Sequence, residues 1–312
     1  MKSLFCVLTA ALIVLFLALS SARAGPNVVV SVLPIHSLVA SVMQGIASPI
    51  LLLQGGASPH TYALKPSDAR DLQNADAIFW IGEGLESFLA KPIEALPRSA
   101  RIVALSRVPG VRLLSIREGG VWVENAADRY ADHQELATGT YDPHIWLDPA
   151  NAAAIVVTAV AVLSSIDQAN ADTYRANGAK VLRRIEQFEE KLHRHLASVK
   201  KRPYVVFHDA YQYFEKPFGM NAVGAISISP ERIPGAKRLA ALRGRLSKLD
   251  AACIFSEPQF KPAIVATVAE GTSARSGVLD PIGTNLVPGP DAYFRLMENL
   301  AVSLRTCLAA AS

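Results

Sequence analysis

Residues 204–214, YVVFHDAYQYF, carry the pattern from which the fold is predicted. The apolar run 204–207 is typical of a buried strand and residues 210–216 of a helix, with His208 at the junction between them. Short apolar runs alternate with helical patterns in the same way along both halves of the chain. Alternation of strands and helices on this scale predicts parallel sheets that are covered by helices.

Two such series are separated by one long helical pattern. The predicted strands are residues 27–33, 49–53, 77–81 and 102–105 in the first series, and 204–207, 221–226, 252–255 and 277–279 in the second. The predicted helices are residues 35–44, 67–74 and 85–95, then 210–216, 235–249, 262–270 and 291–308, with a further helix starting at Pro149. Between the series, apolar residues from Tyr174 to Val199 recur every three, four or seven positions, which predicts one helix of about 28 residues.

We therefore predict an α/β fold with two lobes, each a parallel sheet flanked by helices, joined by one long helix. The expected boundaries are 25–168 for the N-terminal lobe, 169–202 for the linking helix and 203–312 for the C-terminal lobe. Residues 25–312 are enough for two domains of ordinary size.

The first 24 residues have the pattern of a cleaved secretory signal. Lys2 precedes an apolar run at residues 4–19, and Ala22 and Ala24 have the spacing of a cleavage site. The run is shorter than the ~20 residues that a spanning helix needs. Gly25, and not a lipid-accepting cysteine, follows the expected cleavage site, so we expect a soluble exported protein.

The cysteines agree with export. Cys6 lies in the signal, which leaves Cys253 and Cys307. An even pair in an exported protein suggests a disulfide, here one that joins the C-terminal helix to the strand containing Cys253.

Charge and hydropathy exclude two classes of partner. The chain carries a net charge of +4, and without the signal it has 29 basic and 27 acidic residues. Because the basic residues are scattered among acidic ones, nucleic acid is not expected as a partner. We expect no membrane span after the signal.

Three histidines lie on loops of one kind. His60 follows a Gly-Gly-Ala-Ser-Pro turn behind a predicted strand, His144 lies in YDPHIWLDP before a helix that begins with proline, and His208 ends a strand. Ligands of open α/β sheets bind outside the carboxyl ends of the strands. Asp280, in GVLDPIGTN, has the same kind of position after the last predicted strand.

Three neutral imidazoles and one carboxylate oxygen make a tetrahedral donor set that suits Zn²⁺. His60 and His144 would come from one side of a cleft, and His208 and Asp280 from the other. The spacing of these residues matches no compact zinc motif, however. From the residues alone, three histidines in separate polar networks remain the alternative. His133, in the polar segment ENAADRYADHQ, is expected on a surface loop.

Four stretches together resemble the periplasmic zinc-binding proteins of bacterial high-affinity zinc-uptake ABC transporters. They are SVLPIHSLVASVMQG, GASPHTYALKPSDARDLQNADAIFWIGEGLESFL, FHDAYQYFEKPFGM and SEPQFKPAIVATVAEGTSARSGVLDPIGTN, at residues 31–45, 56–89, 207–220 and 256–285. The resemblance extends over residues 27–308 and is dense around every candidate ligand.

The resemblance implies that His60, His144 and His208 are metal ligands, that Cys253 and Cys307 form a disulfide, and that the linking helix is rigid and limits hinge motion. It implies a monomeric binding protein, not an enzyme, that captures Zn²⁺ and delivers it to an inner-membrane permease. Members of this family often carry a long, acidic, histidine-rich loop before the second ligand. Here residues 118–141 are short and contain only His133, which leaves the role of that loop open.

Two alternatives stay open at this point. Related binding proteins for manganese or ferrous iron tend to have a carboxylate where this chain has His208, and a histidine favours zinc because Mn²⁺ prefers harder oxygen ligands. A three-histidine zinc hydrolase would need a base beside a metal-bound water, and Glu257 is the acidic residue that we would nominate. No HExxH signature is present.

Overall fold

The structure is a computed structural model that describes residues 25–96, 99–117, 130–131, 141–227, 243–244, 251–260 and 263–309. The predicted signal sequence, His133 and most of the helix predicted at 235–249 lie outside the described residues.

The N-terminal lobe contains a parallel sheet of four strands in the order β2-β1-β3-β4. The strands are β1 (Val28–Val30), β2 (Ile50–Leu51), β3 (Ala77–Trp80) and β4 (Arg101–Ala104), and the connecting helices are Leu33–Val42, Pro66–Gln73 and Ser87–Glu94. The central strands β1 and β3 are buried along their whole length, as their continuous apolar sequences require. A short antiparallel pair, β5 (Leu113–Leu114) and β6 (Tyr130–Ala131), belongs to the same half of the chain.

The C-terminal lobe contains a second parallel sheet in the order β10-β9-β7-β8. Its strands are β7 (Tyr204–His208), β8 (Ala222–Ser227), β9 (Cys253–Ser256) and β10 (Arg275–Val278), and its helices include Gln212–Phe218, Ala263–Ala269 and Ala292–Ala309. Each predicted strand of both series therefore has a counterpart in the structure.

Helix starts account for two differences from the predicted boundaries. The strand predicted at 27–33 ends at Val30 because a helix with proline in its first turn begins at Leu33. The helix predicted from Ser67 begins one residue earlier, at Pro66, and Asp68 caps it by accepting the Lys65 backbone N–H at 2.9 Å.

The linking helix, Ala171–Leu196, has 26 residues and is amphipathic, as its spacing predicts.

The helix Pro149–Ile166 packs beside the linking helix. Among the described residues, Pro149–Ile166 is the one helix long and apolar enough to cross a membrane by length and composition. A buried core helix passes the same test, so the expectation that no membrane span follows the signal is not contradicted and stays a prediction. In the fold, eight residues of this helix are buried.

The C-terminal helix, Ala292–Ala309, touches both lobes. The Tyr293 backbone N–H donates to Ser37 Oγ at 2.9 Å, in the first helix of the N-terminal lobe. Cys307 forms a disulfide with Cys253 of β9. The predicted disulfide is thus present, and it joins the C-terminal helix to the strand that the sequence analysis named.

Candidate metal centre

Three imidazoles converge between the two lobes. The ligand atoms of His60, His144 and His208 all lie within 4.8 Å of one another. The ring centroids of these residues are separated by 5.2–5.9 Å, and Nε2 of His144 lies 3.3 Å from Nε2 of His208. The fold therefore brings together the three histidines that the sequence analysis singled out on separate loops.

A tight glycine turn positions His60. Gly55 and Gly56, in the loop after β2, have φ angles of +68° and +75°, which side chains other than glycine rarely adopt. A Cβ added to Gly56 would lie 2.2 Å from Cγ2 of Thr284, a residue of the C-terminal lobe. The loop that carries His60 is therefore pressed against the opposite lobe.

Carboxylates hold the other two imidazoles. Asp142 Oδ1 lies 2.6 Å from Nδ1 of His144 and also accepts the His144 backbone N–H at 3.0 Å. Glu257 Oε1 lies 2.6 Å from Nδ1 of His208. Because each Nδ1 is engaged, each Nε2 is directed to the shared centre, which is the usual arrangement around a metal-binding histidine.

Burial gives the three-histidine centre its electrostatic character. It lowers the pKa of His60 to about 2, with the neighbouring His144 and His208 adding to the effect, so His60 is neutral over the physiological range. Burial also acts to lower the pKa of His208, but the charge and hydrogen bond of Glu257 outweigh it and raise that pKa. The neutral imidazole of His60 can therefore donate to a divalent cation, and the contact with Glu257 holds the ring of His208 in place.

Asp280 lies two residues after the last strand, β10, and outside the group of converging ligand atoms. Its Oδ1 accepts from the backbone N–H groups of Ile282 and Gly283 at 3.2 and 3.0 Å and from Gln259 Nε2 at 2.8 Å. Its Oδ2 accepts the Thr284 backbone N–H at 2.6 Å. The carboxylate thus organises the turn that follows it, and its role as fourth ligand stays a prediction.

Sequence reasoning missed Asp142 and Arg117. Asp142 stands two residues before His144 in YDPHIW, and a carboxylate so close to a candidate ligand was the available signal. Arg117 contacts Asp209 and Glu215 of the other lobe, which are 92 and 98 positions away. No local pattern announces a contact at such a distance.

A family model described as "Zinc-uptake complex component A periplasmic" matches residues 28–307. The chain belongs to this family. A relative, the high-affinity zinc uptake system protein ZnuA of Brucella abortus (strain 2308), is 41% identical over 331 residues, covering 99% of this chain and 98% of that protein. The protein of the same name from Yersinia pestis is 36% identical over 295 residues, covering 91% of this chain and 92% of that protein.

Solved structures share the fold of this chain. The crystal structure of ZnuA matches with a TM-score of 0.75 at 22% identity, covering 91% of this chain and 99% of that one. The periplasmic zinc binding protein TroA from Treponema pallidum matches with a TM-score of 0.76 at 20% identity, with the same coverage of 91% and 99%. The predicted fold class, two parallel sheets with a long helix between them, is confirmed. The relatives are named as parts of an uptake system, which is a transport role.

Proposed function

We propose that the mature protein captures Zn²⁺ in the periplasm, in the cleft between its lobes, and delivers it to the inner-membrane permease of an ABC transporter. The observation that carries this proposal is the convergence of His60, His144 and His208, whose ligand atoms lie within 4.8 Å of one another. The family description and the names of the relatives, which refer to zinc uptake, support the same cargo.

The donor set favours zinc over harder cations. Imidazole nitrogens suit Zn²⁺, whereas Mn²⁺ prefers carboxylate and other oxygen ligands. In this proposal, Asp280 or a water molecule supplies the fourth donor.

Glu257, the residue considered as a catalytic base, has its Oε1 at 2.6 Å from Nδ1 of His208, and this contact supports an anchoring role rather than hydrolysis.

Delivery follows from the origin of the ligands. His60 and His144 come from the N-terminal lobe and His208 from the C-terminal lobe. A movement that separates the lobes therefore breaks the ligand set and lowers metal affinity at once, without unfolding either sheet. In this proposal, docking on the permease drives that movement.

The test is metal analysis of protein purified without added metal, followed by competition titration with a chelator. We expect one tight Zn²⁺ per chain, and we expect His60→Ala, His144→Ala and His208→Ala each to lower affinity by more than the ~100-fold typical of residues that only support a ligand. His193→Ala, on the exposed face of the linking helix, is the matched control. Wild-type affinity in all three variants would refute the assignment.

Export and delivery need a cellular test. The amino terminus of the periplasmic protein should begin at Gly25. In zinc-limited cells that lack their own binding protein, growth should be restored by the wild-type chain together with its permease. The three histidine variants should not restore it, although they reach the periplasm in equal amounts.

A further inference from the structure

A buried ionic contact joins the lobes beside the metal centre. Arg117 Nε lies 3.1 and 3.0 Å from the two carboxylate oxygens of Asp209, and Nη1 lies 2.7 Å from Glu215 Oε2. The three side chains are 16%, 4% and 7% exposed. We call this group, Arg117 with Asp209 and Glu215, the cross-lobe contact.

Arg117 is anchored in the N-terminal lobe. It follows β5, where the Arg112 backbone N–H donates to Asn151 Oδ1 at 2.8 Å and the Asp142 N–H donates to the Leu114 carbonyl at 2.8 Å. Its segment is thus bound to the same loop that carries His144, so a displacement of Arg117 relative to this lobe is resisted by several hydrogen bonds.

The carboxylates belong to the C-terminal lobe and adjoin a candidate ligand. Asp209 directly follows His208, and Glu215 lies in the helix Gln212–Phe218 that begins three residues later. Burial alone would lower the pKa of Arg117, but the charges of Glu215 and Asp209 outweigh it and raise that pKa. The guanidinium is therefore always charged, and it balances two buried acids that would otherwise repel each other.

Neighbouring hydrogen bonds cross the cleft along the same line. The Leu114 N–H donates to the Tyr213 hydroxyl at 2.8 Å, and Gln212 Nε2 donates to Asp142 Oδ2 at 3.1 Å. Asp142 is the carboxylate that holds His144. Through Gln212, the helix that carries Glu215 thus also contacts the anchor of His144.

We propose that Arg117 is a positioning residue for zinc capture, which holds the backbone next to His208 against the N-terminal lobe and keeps His208 within reach of His60 and His144 before the metal arrives. Arg117 does not touch the metal. Without its charge, the attraction that holds Asp209 and Glu215 of one lobe against the other is lost, so the lobes separate more readily and the bound metal escapes faster. This inference rests on the proposed function, because it concerns the affinity of the same site.

The experiment compares Arg117→Met with the wild type and with Arg112→Met. Arg112 is the matched control because it also pairs with a buried carboxylate, Asp148 at 3.0 Å, but within its own lobe. Zinc affinity is measured by chelator competition, and zinc release by mixing the loaded protein with excess chelator. We expect Arg117→Met to lower affinity about 10- to 100-fold, chiefly through faster release. Arg112→Met should leave both quantities unchanged, and Arg117→Lys should restore part of the loss.

A second readout separates positioning from ligation and from general destabilisation. The visible absorption of bound Co²⁺ should be the same in Arg117→Met and the wild type, because the ligand atoms are the same, and should change in His208→Ala. If Arg117→Met does not fold, Glu215→Gln takes its place, with a smaller increase in the release rate expected.

Wild-type release rates in the folded variant, or an equal increase in Arg112→Met, would overturn the inference while leaving the proposed function intact. Failure of the wild-type protein to bind zinc would overturn both.

Discussion

His144 and His208 face each other across the cleft with their Nε2 atoms 3.3 Å apart, although they come from different lobes. Each ring is held at Nδ1 by a carboxylate of its own lobe, Asp142 or Glu257, at 2.6 Å in both cases. Two imidazoles that are anchored in this way need little further ordering when a metal binds. Low ordering cost is a general route to high affinity.

The two anchoring carboxylates should matter for affinity although neither is expected to touch the metal. We expect Asp142→Asn and Glu257→Gln each to weaken zinc binding about 10- to 100-fold, because the neutral amide orients the imidazole less strongly and makes it a poorer donor. Chelator competition measures the change. Asp172→Asn is the control, since the Asp172 side chain is 99% exposed on the linking helix. Unchanged affinity in both anchor variants would contradict the expected role.

Asp280 is expected to supply the fourth ligand atom. Its Oδ2 accepts the Thr284 N–H at 2.6 Å. This hydrogen bond uses one lone pair of the oxygen and leaves a second one that can bind a metal. A zinc-bound crystal structure should place an Asp280 oxygen at roughly 2.0–2.2 Å from the metal. A water in the fourth position, with both Asp280 oxygens beyond about 3 Å, would rule out direct ligation.

Asp280 variants cannot decide this question by affinity alone. Asp280→Ala removes a possible ligand and also the acceptor for the turn residues Ile282, Gly283 and Thr284. We therefore expect a large loss of affinity under either role, and the coordination distance is the quantity that discriminates.

The disulfide should contribute to stability. Cys253 and Cys307 are separated by 54 positions, and loss of a native disulfide from a small exported domain typically costs about 2–5 kcal/mol. We expect reduction to lower the melting temperature of the mature protein. Reductant should have no effect on Cys253→Ala/Cys307→Ala, which is the control. Thiol titration of the unreduced, denatured protein should find no free thiol; two would contradict the pairing.

A buried carboxyl in the N-terminal lobe should make stability pH-dependent. Burial raises the pKa of Glu86 to about 7, although Ser31 Oγ and the Ile81 and Gly82 N–H groups donate to its oxygens. From about pH 4.5 to 7 the native state therefore retains a proton that the unfolded chain has lost. Its contribution to stability is complete below this window and is lost as the pH rises through it.

Glu86→Gln should remove this dependence. In urea unfolding, the wild-type free energy of unfolding should fall across the window by up to about 1.4 kcal/mol per pH unit more than that of the variant. Glu83→Gln, which removes an exposed carboxyl three residues away, should follow the wild type. Parallel pH profiles for the wild type and Glu86→Gln would show that Glu86 does not titrate in this range.

Local patterns were sufficient for the strands of both parallel sheets and for the linking helix, but they did not predict the short pair β5 and β6. Residues 204–207 form a strand because a short apolar run can be buried on both faces of a parallel sheet, and Ala171–Leu196 form a helix because apolar residues recur at helical spacing. Where boundaries differ, as at Leu33 and Pro66, a proline in the first turn set the helix start. The lobe boundaries at 168/169 and 202/203 remain predictions.

The sequence by itself predicted the strands of both parallel sheets, the disulfide partners and the three candidate ligands. Apolar spacing indicates the elements, the two cysteines left after the signal indicate the disulfide, and a histidine on the loop before a helix indicates a candidate ligand. Only the tertiary structure decided how far apart those ligands lie and what supports them. Glu257 is 49 positions from His208, and Arg117 is 92 positions from Asp209. Contacts of this range depend on how two separate sheets are placed against each other. That placement is set by packing across the whole interface, which no local periodicity records.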